Sequence, residues 1–395
     1  GTGSSVVLGG TLDVTTGELT DGADRVITVG DARTEITADV VDSGSGQTTD
    51  LRIDAGALST GADDGSGNFA GSGDLAVDGD ADVAVDELGA NLHAASLTGV
   101  LDVDTRASAG TFAITTGTNT TAITGATGNT ITVDAANLSG DGTISAASAD
   151  NPELTLDGAG TMTVNGIEAD INAASFSGDS LTINTSPLTG TGTNGNNTPA
   201  MEIVVGTTDT TVSGDDSIAG NKDIIDIRVD GSNLAGQPGE TLTLQGDAEY
   251  LIQNNSSGDL LSIDISGIAD DNEVTLEGSG DFELTGTSAD VDAESLSGEV
   301  TVRTKDDGNP DQITVTAGTG KTTVDAEDGN DEINLDAGNL LDDKIDTRNN
   351  DSEILEVVAL GSGDVNVTDL KADVDATGLL GALDITRGQI TGGAK

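Results

Sequence analysis

One short signature recurs along this chain and limits what it can fold into. A β-like run is followed by Asp or Asn, Ala, two residues, Leu or Phe, one residue and Gly. It reads VDAANLSG at 133–140, INAASFSG at 171–178, VDAESLSG at 291–298 and VDATGLLG at 374–381. LHAASLTG at 92–99, with His in the Asp place, and IDAGALSTG at 53–61, with one more residue before the glycine, belong to the same set. IRVDGSNLAG at 227–236 is a variant, and INLDAGNLL at 333–341 keeps the leucine and loses the glycine. Its apolar anchors are Leu58, Leu97, Leu138, Phe176, Leu234, Leu296, Leu340 and Leu379, at intervals of 39, 41, 38, 58, 62, 44 and 39 residues. A period near 40, stretched in the middle by insertions, is the mark of a repeat architecture. The insertions fall at Pro187–Pro199, which reads as an exposed loop, and around Gln237–Gly258. A larger unit overlies this one at Gly71–Thr105, Gly158–Thr185, Gly278–Thr304 and Gly361–Arg387, whose opening glycines lie 87, 120 and 83 residues apart.

Period-two alternation of β-branched residues fills the runs between signatures. ITVDA at 131–135, LTINT at 181–185, VTVRT at 300–304, QITVT at 312–316 and EINLD at 332–336 all show it. No long segment has uninterrupted helical spacing, and Thr, Val and Gly are poor helix formers. An acidic chain rich in Gly, Asp, Thr and Ser has a composition common in disordered proteins, but alternation this regular points to short strands separated by Gly, Asn-Gly and Asp-Gly turns.

Two all-β architectures compete. In a parallel β-solenoid, short strands stack coil on coil around a narrow interior, and two coils of roughly 20 residues make one period of about 40. Tandem Ig-like β-sandwiches would need roughly 100 residues each and a bulky aromatic core. The chain has no Trp, and its aromatics are Phe69, Phe112, Phe176, Phe282 and Tyr250. That scarcity, the small residues and the 40-residue period favour the solenoid. The expected organisation is one continuous array over 1–395, with approximate repeats 1–105, 106–185, 186–304 and 305–387 and a polar tail at 388–395.

Charge excludes several functions. The 395 residues carry 14 Lys+Arg against 70 Asp+Glu, a net charge of −56. Nucleic acid and anionic membrane surfaces need clustered cations, so neither is an expected partner. No apolar run reaches the roughly 20 residues of a membrane helix, and no membrane insertion is expected. Self-repulsion of this size opposes compaction unless salt or divalent cations offset it. There are no cysteines and hence no disulfides. Gly1 is not an initiator residue and no signal peptide is visible, so the chain reads as a mature or excised segment.

Catalysis finds little support. His93 is the only histidine, and the matching positions of other copies hold Asn172, Asp292 and Asp375. It reads as one variant of a turn position. With no Cys and one His, the usual nucleophile–base pairs are missing. No enzyme activity and no organic cofactor are expected. A polysaccharide-binding or -degrading β-helix, the remotest of the functions considered, would need cations and aromatic platforms that this chain lacks.

Divalent cations fit better. Calcium takes six to eight oxygens from carboxylates, Asn side chains and carbonyls, and Asp/Asn/Gly turns supply all three. The strongest local match is DAEDGNDEINLDAG at 325–338, which offers Asp325, Asp328, Asn330, Asp331 and Asp336. A weaker echo, DDGNPDQITV at 306–315, offers Asp307 and Asp311, and TDGADRVITV at 20–29 is fainter. The ADVDA motif adds a second set: Asp170, Asp290 and Asp373 take equivalent positions, with Asn91 in the first copy. Stacked in a solenoid they would form an acidic ladder, with Asp292 and Asp375 two residues on and on the same face. The competing reading of any one of these is a solvated or Asx-turn residue.

The GNDEINL core around Asp328–Leu335 resembles the calcium-binding nonapeptide of RTX proteins, with Asp331 in the Asp place and Ile333 in the apolar place. RTX rolls repeat that element in tandem, whereas here it is isolated. The whole chain resembles the acidic, cysteine-free β-repeat proteins that bacteria secrete, namely calcium-dependent surface-layer proteins and large RTX-type adhesins. That resemblance implies a secreted or cell-surface structural role, calcium as ligand, and partners that are further copies of the chain and cell-surface polysaccharide. The expected function is self-assembly into a surface layer, sheath or filament. The alternative is a monomeric stalk segment of a long adhesin.

Overall fold

The computed structural model describes residues 12–16, 25–29, 34–38, 50–58, 74–105, 110–138, 153–188, 199–216, 225–269, 272–305, 312–326, 332–340, 357–361, 364–370 and 374–387. Every regular element among them is a β-strand, and the strands form two parallel sheets of 16. Successive strands alternate between the sheets, and each pairs with the strand two before it and the strand two after it. This is a parallel β-solenoid. The pairing is parallel among the described strands, as for Ile131 with Met162 and Val302 with Val324, whereas an Ig-like sandwich requires antiparallel pairing.

The chain divides into two compact units, Gly1–Pro187 with Ala200–Thr210, and Leu188–Pro199 with Thr211–Lys395. Bonds from coil to coil join residues 17 apart, as between Asn91 and Asp74, and 42 apart where an insertion intervenes, as between Asp80 and Ala38. The period near 40 is a pair of coils where the signature returns to the same sheet, as from Leu97 to Leu138 and from Leu296 to Leu340. From Leu58 to Leu97 the signature passes from one sheet to the other. It therefore marks either corner of the coil, and spacing alone cannot tell which.

The corner follows from its residues. Alternating strands put every second side chain inside, and Ile131, Val133, Leu284 and Val302 are buried. The Asp or Asn ending the strand accepts the N–H two residues on: Asp134 from Ala136 at 3.3 Å, Asp292 from Glu294 at 2.9 Å and Asp336 from Gly338 at 2.9 Å. These are Asx turns, which bend the chain without tertiary help. The next Ala accepts the N–H of the anchor leucine, 2.9 Å for Ala135 with Leu138 and 2.8 Å for Ala293 with Leu296. Both members of each pair are buried, so the corner seals the core. Removing a Leu from water stabilises by roughly 1.5–3 kcal/mol, and a row of such anchors replaces an aromatic core.

Glycines sit where coils approach too closely for a side chain. A Cβ on Gly278 would lie 2.1 Å from the Asn254 carbonyl oxygen of the preceding coil, and its φ of +116° is one that side chains rarely adopt. Gly158 and Gly361 do the same at equivalent places. In the first copy this glycine is Gly79, with φ +115°. Gly79 lies eight residues after Gly71, which is outside the described residues. Eight residues past this glycine the strand bulges, at Gly166 (φ +70°), Gly286 (φ +69°) and, in the first copy, Glu87 (φ +56°).

Tyr250 is the one buried polar aromatic. Its hydroxyl accepts the Gly214 N–H at 2.7 Å and donates to the Gln245 carbonyl at 2.7 Å. Burial pushes its phenol well above the ordinary range, so it stays neutral.

The outward rows differ between faces. In the first unit, one sheet aligns Thr111, Thr130, Thr161 and Ser180, beside Ala113, Thr132, Thr163 and Thr182, in unbroken register. Asp134, Asn165 and Asn184 border them. The other sheet of that unit pairs Asp54 with Asp86, then Asp104 with Thr124 and Thr124 with Asp157.

Candidate cation sites

Of the nine residues the sequence nominates for calcium, the structure describes Asp290, Asp292, Asp325 and Asp336. Asp307, Asp311, Asp328, Asn330 and Asp331 lie outside the described residues. So does Asp373.

The four described acids serve the scaffold. Asp292 and Asp336 each give an oxygen to an Asx turn. Asp290 accepts the Thr314 N–H of the next coil at 2.8 Å. Asp325 takes the Arg303 guanidinium at 3.3 Å, and Arg303 also reaches Glu283 at 3.2 Å. A cation at Asp325 would have to share it with that arginine. Among the described residues no group of three or more His, Asp or Glu side chains is placed to hold a metal ion.

The ADVDA positions do not stack on one another. Asp290 pairs in register with Glu273, and Asp170 with Glu153, each inside its own coil pair. Their shared role is different. Asp170 accepts the Glu202 N–H at 2.8 Å and Asn91 accepts the Ala113 N–H at 2.9 Å, as Asp290 does with Thr314. The position is a clamp from one coil to the next, and it needs an acceptor oxygen rather than a charge. That explains how Asn91 can stand in for Asp. His93 ends its strand where Asp292 ends its own, a corner place as its sequence context implies.

Sequence reading missed the acids that precede strands. Asp226 accepts the Glu249 N–H at 3.0 Å, and Glu249 accepts the Glu273 N–H at 2.7 Å. In the first unit Asp50 accepts from Asp82 at 3.1 Å and Asp82 from Val100 at 2.8 Å. Asp50, Asp226 and Glu249 are buried, and charge-assisted bonds of this kind contribute roughly 1.5–3 kcal/mol each. The signal was present: an acid one residue before an apolar strand, in coil after coil.

One described acidic patch surrounds Arg52. Its guanidinium holds both oxygens of Asp86, at 2.6 and 2.7 Å. Burial raises the carboxyl of Asp102, Asp104 and Asp86 raise it further, and Arg52 acts in the opposite sense. The solvent-exposed carboxyl of Asp375 goes the other way, lowered by the N–H and hydroxyl of Thr377. Lys321 reaches Glu299 at 3.9 Å on the surface. A surface pair of that kind contributes about 0–1 kcal/mol, far too little to offset the charge of the whole chain.

Comparison with protein-family models, with curated proteins and with solved structures finds no match. No helix among the described residues is long and apolar enough to cross a membrane. The class of the chain is therefore set by its fold, a parallel β-solenoid whose polar residues are spent largely on corners and coil-to-coil clamps.

Proposed function

We propose that this chain is a non-enzymatic, extracellular structural protein that associates coil on coil with further copies, building a surface layer, sheath or filament stabilised by calcium. The supporting observation lies in the outermost described strands, Val374–Leu379 and Leu383–Arg387, each of which has a described partner on one edge only. Leu383 and Ile385 continue the inward rows of Val365 and Val367. The two valines are buried, whereas Leu383 and Ile385 are 37% and 43% exposed. These positions are built to be covered by another coil. At the other extreme, Ile27 continues the row of buried Ile53 and is only half-buried. Head-to-tail contact of two such ends is heterologous, the kind of contact that can pass from copy to copy.

Calcium enters this reading through charge. Carboxylates in neighbouring coils repel by about 1 kcal/mol per pair at 4 Å even in bulk water. A divalent ion bridging outward rows between coils or copies would remove that cost. A further coil of a longer adhesin would cover the same ends, leaving a monomeric stalk.

The test is removal of calcium with a chelator and its restoration, followed by light scattering and far-UV circular dichroism. Reversible growth to large ordered particles supports assembly. Restored β-signal without growth assigns the chain to a stalk. Indifference to chelation at moderate salt ends the calcium role.

A further inference from the structure

The threonine face of the first unit is unlike every other sheet face described. The two outward rows running through Thr130 and Thr132 carry hydroxyls at seven of eight positions and no charge. The opposite sheet of that unit presents Asp54, Asp86, Asp104 and Asp157. In the second unit the outward rows include Glu283, Arg303 and Asp325 on one sheet and Glu277, Glu332 and Asp336 on the other. The hydroxyls are also unspent. Thr105, Thr208 and Thr285 donate theirs to backbone carbonyls. Thr130, Thr132, Thr163 and Thr182 show no such bond among the described residues, and they stand half-exposed or exposed.

We infer that this face is a lateral contact between copies, packing against the same face of a second chain. In a protein of net charge −56, two copies side by side repel wherever acids face acids within a Debye length of roughly 8–10 Å. The threonine rows are the described sheet surface on which that repulsion is weakest. Threonine suits the contact: its methyl is apolar, and its hydroxyl donates to and accepts from an identical neighbour, so the same surface is complementary to itself across a two-fold axis. The rows keep register through Ser180 and Thr182, and the bulge at Gly166 lies just beyond them.

Area decides the strength. With strands roughly 4.8 Å apart and a two-residue repeat of roughly 6.6 Å, eight positions cover roughly 250 Å² per copy. A stable pair needs roughly 800 Å² per partner. One such contact is short-lived, enough for a disulfide to trap, and it becomes lasting when repeated along two assembled strings of copies, where each later contact is intramolecular. The inference rests on the proposed coil-on-coil assembly for its biological use, but not for its test.

The absence of cysteine from the chain makes the test clean. Thr163→Cys puts one thiol near the middle of the face. Thr124→Cys puts one on the acidic sheet of the same unit, between Asp104 and Asp157. Both full-length variants are oxidised at matched concentration and salt, and disulfide-linked dimer is measured on non-reducing gels. At least tenfold more dimer from T163C than from T124C is expected, abolished when Thr132→Asp and Thr182→Asp are added to T163C. Equal yields, no dimer from either, or dimer that survives the added charges overturns the contact. Retention of the wild type on a neutral glucan matrix that T132D/T182D abolishes, with no T163C dimer, reassigns the face to polysaccharide and also overturns it. A wild type that never grows with calcium while T163C still dimerises leaves the lateral contact standing and removes the filament alone.

Discussion

Glu87 is the place where this fold carries avoidable strain. It is the only non-glycine with positive φ among the described residues, at +56°. Two other copies put Gly166 and Gly286 at that bulge, with φ of +70° and +69°. A left-handed backbone costs a side-chain-bearing residue roughly 1–2 kcal/mol. Replacement by glycine also frees the unfolded chain, which takes back roughly 0.4–1 kcal/mol. Glu87→Gly should therefore stabilise the first unit by about 0.5–1 kcal/mol. Charge is a competing cause, because Glu87 adjoins Asp86 and its carboxylate lies close to Gly56. Glu87→Gln separates the two, since it removes the charge and keeps the strain. Urea unfolding followed by circular dichroism, at low and at moderate salt, measures both variants. The gain from E87G should persist at moderate salt, and any gain from E87Q should fade as screening rises. An E87G midpoint at or below the wild type, or an E87Q gain equal to that of E87G at both salts, refutes strain as the cause. The reciprocal change has a larger expected effect. Gly286→Ala adds the same strain and a Cβ 2.6 Å from that of Ser266, so a loss above about 2 kcal/mol is expected.

Two further outcomes follow from the site geometry. Asp290→Asn keeps the acceptor for the Thr314 N–H and should leave stability within about 0.3 kcal/mol, whereas Asp290→Ala leaves that exposed N–H to water and should cost about 0.5–1.5 kcal/mol; equal losses in urea midpoint would show that the charge, not the acceptor, matters. Asp102 has a folded pKa above its ordinary value, so the folded chain holds this proton more tightly than the unfolded chain. Its ionisation therefore weakens the fold as pH rises from about 3.8 through the raised value, and lowering pH restores that stability. Asp102→Asn should raise the urea midpoint at pH 7 and have no such effect near pH 3; an equal effect at both pH values would refute the electrostatic cause.

Much of the architecture was legible in the residues. Alternating Val, Ile and Thr gave short strands, the Asp-Ala-x-x-Leu signature gave corners, and the period near 40 gave stacked coils, because each rests on local chemistry that repeats. The candidate site was legible only in part. Asp292 and Asp336 were recognisable as oxygen donors, but a free carboxylate and an Asx turn have the same sequence. Asp290 looked like a rung in a ladder of its own kind, whereas it pairs with Glu273 and clamps Thr314.

What the sequence determined by itself is therefore the coil: strand, turn, buried anchor, strand. Local propensity and side-chain period suffice for that. Tertiary structure alone decided which residue faces which across neighbouring coils. That register turned acids before strands into backbone clamps, sent Tyr250 to the Gly214 and Gln245 backbone, and aligned Thr130, Thr132, Thr161 and Thr163 into a neutral face. Insertions of unequal length shift the spacing between coils. Partners 17 to 42 residues apart cannot be matched from the sequence until hydrogen bonding and burial fix the register.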